Sequence, residues 1–277
     1  MTLGLAALAA VGALAGDPGA GRELIWADEF DGDRLDPARW TASEDCWGGG
    51  NQERQCYTAS PANISVSDGL LRLTARSETA TGPRWPAGHP LAATGETATR
   101  AITSARVHTA GKASFLYGRI EVRARLPAGQ GLWPAIWMLP EHDNYGPYPQ
   151  SGEIDVAEAV NLGLDCPGCE DRLHAAVHHG PELRRTTHET GSVPFTERDG
   201  FHVFALEWTP ERLTWLLDGY VYFSIPAGPP FDQRFHLILN LAVGGTWPET
   251  GGRGGVDEGA LPAEFLIDWV RIYAPAA

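Results

Sequence analysis

The sequence predicts an all-β fold, an antiparallel β-sandwich of jelly-roll type, and three observations carry that expectation. Apolar and polar residues alternate with period two along most of the chain, while helical periodicity is nearly absent. Gly 33 and Pro 21 punctuate the alternation at short intervals, as many brief strands joined by tight turns require. The 277 residues suffice to bury a full core, and all-β sandwiches of this length commonly form one domain.

Ahead of the strands, Leu3 to Ala15 is an apolar run ending in the small-x-small pattern Ala13-Leu14-Ala15, and Gly16 to Gly21 reads as linker. The run is too short to span a bilayer and resembles the apolar region of an export signal. Residues 1–20 are therefore expected to be signal peptide and linker, residues 21–277 a single domain, and the protein secreted. No Lys or Arg precedes the run, as would follow if the true start lay upstream of Met1.

Strands are then expected at Glu23–Phe30, Leu70–Ala75 and Ile102–Val107, with the polar, Pro-, Thr- and Gly-rich Ser77 to Thr99 as a long surface loop. Phe115 to Leu126 alternates most clearly. Leu116, Ile120, Val122, Ala124 and Leu126 face one way, and Tyr117, Arg119, Glu121, Arg123 and Arg125 the other, which predicts one buried and one polar face. Further strands are expected at Glu153–Ala159, Leu173–His178 and His202–Trp208. Leu213 to Ile225 places Asp218-Gly219 between two alternating runs, a hairpin signal. Phe235 to Val243 is almost continuously apolar and reads as a central strand covered on both sides, and Phe265 to Tyr273 closes the chain. No internal repeat is visible, nor a linker to a second module.

Four cysteines, Cys46, Cys56, Cys166 and Cys169, allow three pairings in an exported chain. The local pairing Cys46–Cys56 with Cys166–Cys169 is preferred, because each pair brackets a short Gly-containing loop. Cys-Pro-Gly-Cys lacks the strand–helix context of a redox motif and the second Cys-x-x-Cys of a zinc site. The net charge of −14 disfavours nucleic acid or an anionic membrane as partner, whereas a neutral polymer meets no such penalty.

The informative segment is Ser151-Gly152-Glu153-Ile154-Asp155-Val156-Ala157-Glu158. Strand geometry puts Glu153 and Asp155 on one face and Glu158 on the other. As an ordinary edge strand the segment would simply carry charge to solvent. A β-bulge near Val156-Ala157 would instead absorb one residue and return Glu158 to the side of the other two. The second arrangement has chemical content. Retaining glycoside hydrolysis needs two carboxyl groups about 5–5.5 Å apart, one ionised as nucleophile and one protonated as acid, and inversion needs roughly 6.5–9.5 Å. A third carboxylate between them can orient the nucleophile and hold the acid's proton by mutual repulsion.

Glu-Ile-Asp-x-x-Glu preceded by Ser-Gly resembles the active-site strand of glycoside hydrolase family 16, and the added residue resembles that family's laminarinase branch. Trp26-Ala27-Asp28-Glu29-Phe30, Asn51-Gln52-Glu53 with Tyr57-Thr58, Gly131 to Met138, Asn240 to Gly245 and Ile267 to Tyr273 are similar to further family motifs in the same order. The resemblance implies a concanavalin-like sandwich with a concave cleft and endo-acting hydrolysis of β-1,3-glucan. Residue by residue it implies Glu153 as nucleophile, Asp155 as assisting carboxylate and Glu158 as acid/base. It also implies His178 near the leaving-group side, and Glu29, Asp268 and the Gly69 carbonyl as a structural calcium site, since hard oxygen ligands suit that ion. A tryptophan usually stands where this chain has Tyr148, which can still stack on a sugar.

Sugars present apolar C–H faces to flat rings with hydrogen-bond donors nearby, and Trp133, Trp137 and Trp247 are the candidates here, with Asn51 and Arg106 as polar partners. Trp26, Trp208, Trp215 and Trp269 are assigned to the core. His174 and His178 come with no zinc-ligand pattern, so no metal or other cofactor is expected in catalysis. A monomer is expected. The rival readings are a hydrolase of mixed-linkage glucan, agarose or carrageenan, and a non-catalytic glucan-binding lectin on the same fold. Sulfated polymers would want a basic cleft, against 21 Lys+Arg and 35 Asp+Glu, and a lectin would not need all three acids.

Overall fold

The computed structural model describes residues 21–196 and 200–276, so the expected signal peptide and linker lie outside the described residues. The strands are β1 (Leu24–Asp28), β2 (Thr41–Ala42), β3 (Gln55–Tyr57), β4 (Ile64–Ser67), β5 (Leu70–Pro83), β6 (Thr97–Ser104), β7 (Arg106–His108), β8 (Gly118–Arg125), β9 (Leu132–Pro140), β10 (Glu153–Glu158), β11 (Arg172–His179), β12 (Thr187–Pro194), β13 (His202–Trp208), β14 (Arg212–Leu217), β15 (Tyr220–Pro226), β16 (Phe235–Val243) and β17 (Ala263–Tyr273). One sheet runs β15-β14-β13-β8-β17-β5-β6-β3, with β1 beside β17 and β4 beside β5; the other runs β12-β11-β10-β9-β16-β7-β2. These are the two layers of a jelly-roll sandwich.

Alternation decides which residues fill the space between the layers. Ile120, Val122 and Ala124 of β8, Leu132, Ile136 and Met138 of β9, and Phe235, Leu237, Leu239, Leu241 and Val243 of β16 all join one buried core. On β16 the intervening Ile238, Asn240 and Ala242 are buried as well, so the strand is covered on both faces as its apolar run predicts. In β17 the core positions pass from Phe265 and Ile267 to Val270 and Ile272, a change of parity that the bulge between Ile267 and Trp269 produces. Asp218 (φ 50°) and Gly219 (φ 82°) turn the β14–β15 hairpin, where both central residues need positive φ.

Three expectations need correction. Ser77 to Thr99 is no surface loop at its ends, because β5 runs on to Pro83 and pairs with β6 from Thr97. Its threonines are β-branched strand formers, and Thr81 Oγ1 meets Thr99 Oγ1 across the pair at 2.7 Å. Ile102–Val107 is two strands in different layers, with the chain crossing between sheets at Ala105. The polar face of β8 is also less wet than alternation alone suggests: Arg119 and Glu121 are 2% and 3% exposed, in an ion-pair network. Strands β2, β3, β4, β9 and β12, one short α-helix, α1 (Thr246–Thr250), and three single 3-10 turns complete the described elements beyond those expected.

Candidate active site

Strand β10 lies between β9 and β11, and its register carries the bulge. Glu153 faces His178 and Asp155 faces Ala176, but Glu158 faces His174, so three residues on β10 oppose two on β11. Against β9 the shift falls between Asp155 and Ala157. Ile154, Val156 and Ala157 point into the core, which leaves Glu153, Asp155 and Glu158 together on the outer face of the seven-stranded sheet. A bulge costs ladder hydrogen bonds, and here the Asp155 carbonyl accepts instead from Trp215 Nε1 at 2.8 Å, a tryptophan reaching through the core from β14. Gly152 fixes the entry to the strand: its φ is +85°, and a Cβ there would stand 2.9 Å from Phe231 Cε1.

The electrostatics follow from that crowding. Asp155 is 2% exposed. Burial raises the pKa of all three acids, the charges of Asp155 and Glu158 raise Glu153 further, and Glu158 raises Asp155. Interactions this strong make the protons a property of the trio rather than of single residues. Two groups favour ionisation: Trp133 Nε1 donates to Glu158 Oε1 at 2.9 Å, and His178 lowers both glutamates. His178 Nε2 lies 2.9 Å from Asp155 Oδ2 and 3.9 Å from Glu153 Oε1. The outcome is a recessed carboxyl cluster that retains protons and has an imidazole at one side.

Around the acids the sequence-predicted aromatics divide into two groups. Trp133 meets Trp247 edge to face at 5.3 Å, and His174 meets Trp247 at 5.0 Å, so these rings gather beside Glu158. Trp137 sits opposite Asp155 on β9, and its Nε1 donates to Asn240 Oδ1 at 2.6 Å. From Asn240 a chain continues through Tyr57 OH (3.1 Å) to Glu53 Oε2 (3.3 Å), which also accepts from Gln55 Nε2 (2.7 Å), while Asn51 Nδ2 reaches Glu53 Oε1 (3.4 Å). Asn51 is thus tied to the site through a buried carboxyl whose pKa burial raises. Gly49 must lack a side chain, since a Cβ there would meet Glu53 Oε1 at 2.1 Å. Arg106 is committed to Ser43 and Asp45 and covers the Tyr57 ring, so it braces this network. The backbone of Asn51 accepts from Thr246 N, which fastens its loop to the segment bearing Trp247.

Tyr148 is 48% exposed, and its hydroxyl pKa is raised by burial and by Glu153, to which it hydrogen bonds. His236 and His108, lowered to about 4 by burial, remain neutral on the same face across β16 and β7. Sequence reasoning missed Glu53, Gln55, Tyr57 and Asn240 as one network, and His188, whose Nδ1 lies 2.5 Å from His178 Nδ1. The family-like motifs held Glu53, Tyr57 and Asn240 but not Gln55, and no strand was expected where His188 stands.

The expected calcium ligands behave differently. The β1–β17 and β17–β5 registers bring Glu29, Asp268 and Gly69 toward one end of the ten-stranded sheet. Glu29 is held in two contacts by Arg271, at 2.8 and 2.9 Å, and Asp268 by Arg123. Each carboxylate is thus paired with a guanidinium group, which calcium would have to displace before taking these oxygens as ligands. Both disulfides adopt the local pairing, Cys46–Cys56 and Cys166–Cys169.

A sandwich with a proton-retaining carboxyl trio, ringed by indoles on one sheet face, has the parts of a polysaccharide hydrolase. Residues 51–271 match the profile described as Glycosyl hydrolases family 16, and the chain belongs to that family. It is 43% identical over 268 residues to a beta-glucanase of Rhodothermus marinus, covering 91% of this chain and 85% of that protein. It is 37% identical to a glucan endo-1,3-beta-glucosidase of Cryptopygus antarcticus, covering 81% of each. The crystallographic laminarinase from Rhodothermus marinus superposes with a TM-score of 0.76 at 43% identity, covering 91% of this chain and 97% of that one.

Proposed function

We propose that the protein hydrolyses β-1,3-glucosidic bonds within laminarin-type β-glucans, with retention of anomeric configuration. The observation that carries the reading is the bulge that returns Glu158 to the face of Glu153 and Asp155, where no arginine neutralises the trio among the described residues. The substrate class is supported by the relatives, one named a glucan endo-1,3-beta-glucosidase and another a laminarinase. Glu153 attacks the anomeric carbon while Glu158 protonates the departing glycosidic oxygen; Glu158 then removes a proton from water, which displaces Glu153. Asp155 and His178 partition charge between the two, and Trp133, Trp137, Trp247, Tyr148 and Asn51 bind the sugars. Disulfides persist in oxidising compartments, which supports secretion.

Azide rescue of an activated aryl β-glucoside tests the roles. Glu158→Ala still forms the glycosyl-enzyme, and azide, needing no base, displaces Glu153 to give the β-glycosyl azide. Glu153→Ala lacks the covalent step, so azide attacks directly and gives the α-azide. Exchanged products would reverse the two roles, and net inversion by the wild type would end the retaining reading.

A further inference from the structure

We propose that His188 is a positioning residue of this site: it fixes the tautomer of His178, so that a proton always stands on the nitrogen facing Asp155 and Glu153. The inference deepens the hydrolytic reading and rests on it for its kinetic part alone.

The geometry begins with register. His188 on β12 lies directly opposite His178 on β11, with ring centroids 4.5 Å apart at 82° and the two Nδ1 atoms 2.5 Å apart. The other nitrogen of His178, Nε2, faces Asp155 Oδ2 at 2.9 Å, within hydrogen-bond distance but not aligned as a hydrogen bond. That oxygen is buried and has no hydrogen-bond partner of its own. His178 therefore stands between a carboxyl cluster and a second imidazole, with one ring nitrogen turned to each.

Counting protons then decides the tautomer. Two facing ring nitrogens hold one proton between them, because two N–H groups would collide. A neutral imidazole has one proton to place. Were it on His178 Nδ1, a lone pair at Nε2 would face carboxyl oxygens, acceptor against acceptor whenever Asp155 is ionised. When His188 donates from Nδ1 to His178 Nδ1, His178 carries its own proton on Nε2 and presents it to Asp155 Oδ2. If the pair gains a proton, His178 can keep both while His188 accepts at Nδ1, and Nε2 stays protonated. Burial and the neighbouring ring lower the pKa of His188, which favours the neutral pair. His188 acts through His178, in the way that a partner on the remote nitrogen orients other functional histidines. It is exposed on the edge strand of its sheet, so replacing it empties no core.

Ring nitrogen-15 NMR reads the tautomer directly, with His178 assigned through the His178→Gln variant. Wild-type His178 is expected with its proton on Nε2. In His188→Phe the His178 ring is expected to populate the Nδ1–H form, with kcat on laminarin about tenfold lower and KM within about twofold. His188→Asn, whose amide can donate to or accept from Nδ1, is expected to restore most of kcat and the Nε2–H form. A wild-type His178 protonated on Nδ1 overturns the proposal without any variant. So does a His188→Phe protein that keeps both the Nε2–H form and the wild-type kcat. If the wild type does not hydrolyse laminarin, the hydrolytic reading fails while the NMR arm still decides the tautomer.

Discussion

On the outer face of the ten-stranded sheet, Glu121 and Glu207 share Arg119, Glu207 also meets Arg22, Asp268 meets Arg123 and Glu29 meets Arg271. On the outer face of the seven-stranded sheet, Glu153, Asp155 and Glu158 meet no arginine among the described residues, and the basic side chain within reach is the imidazole of His178. Both faces bury acids in the same sandwich, so burial alone does not mark a site. The difference lies in what compensates the charge. Paired acids hold strands in register, whereas an uncompensated cluster costs stability and retains protons, which is what acid catalysis needs.

The widest test of that contrast is a pair of substitutions with opposite signs. Arg119→Ala strands the nearly buried Glu121, and urea unfolding is expected to show a loss of about 3–5 kcal/mol. Asp155→Asn keeps the shape and removes one of three crowded charges, so it is expected to stabilise by about 1 kcal/mol while hydrolysis falls at least about a hundredfold. The pH dependence sharpens the comparison. Burial and Glu158 raise Asp155 above its ordinary value. An acid whose folded pKa is raised holds its proton more tightly when folded. Its contribution is full below the unfolded value and is lost as pH rises from about 4 toward the raised value. Asp155→Asn should therefore lose stability less steeply than wild type over that window. Parallel slopes would remove Asp155 from the cluster, and destabilisation by both variants would end the contrast.

A smaller effect is expected where the two faces communicate. Trp215 sits in the core but donates to the carbonyl of Asp155 that the bulge withdraws from the ladder. Trp215→Phe keeps most of the packing and orphans that carbonyl, at an expected cost of about 1–3 kcal/mol. Because the bulge sets where Glu158 stands, kcat should fall with it, whereas Leu213→Val on the same strand should cost stability with kcat intact. If both variants keep kcat, the bulge is held by β9 and β11 alone.

How much of this was legible depended on whether the governing force was local. Alternation exposed β8 and the β14–β15 hairpin, and a continuous apolar run exposed β16, because burial acts residue by residue. The acid strand was legible because Glu153 and Glu158 have the wrong parity for one face, and only a bulge reconciles them. The β5–β6 pairing was not, since its Ser, Thr and Gly positions carry no apolar period and the pairing rests on backbone and on contacts such as Thr81 with Thr99. His188 was invisible for the same reason: β12 reads Thr-His-Glu-Thr-Gly-Ser-Val-Pro, and only pairing with β11 sets that histidine against His178. The calcium expectation met a different difficulty. Two acids and a glycine were placed near one another, but the arginines that hold the acids come from β8 and β17 and carry no local signal.

The smallest expected effect concerns that end of the ten-stranded sheet. Arg271 grips Glu29 through two contacts, yet the side chains are 35% and 40% exposed, and solvent screens such pairs to about 0.2–1 kcal/mol. Glu29→Gln should therefore lower the melting temperature by only about 1–3 °C, and by less at high salt. Calcium would have to displace Arg271 and Arg123 before it gained either carboxylate, so melting curves in chelator and in added calcium are expected to coincide. A rise of several degrees with calcium, abolished in Glu29→Gln, would show that the arginines yield to the ion. The acids on this face would then be compensated by a removable charge, and the comparison between the two sheets would be one of degree.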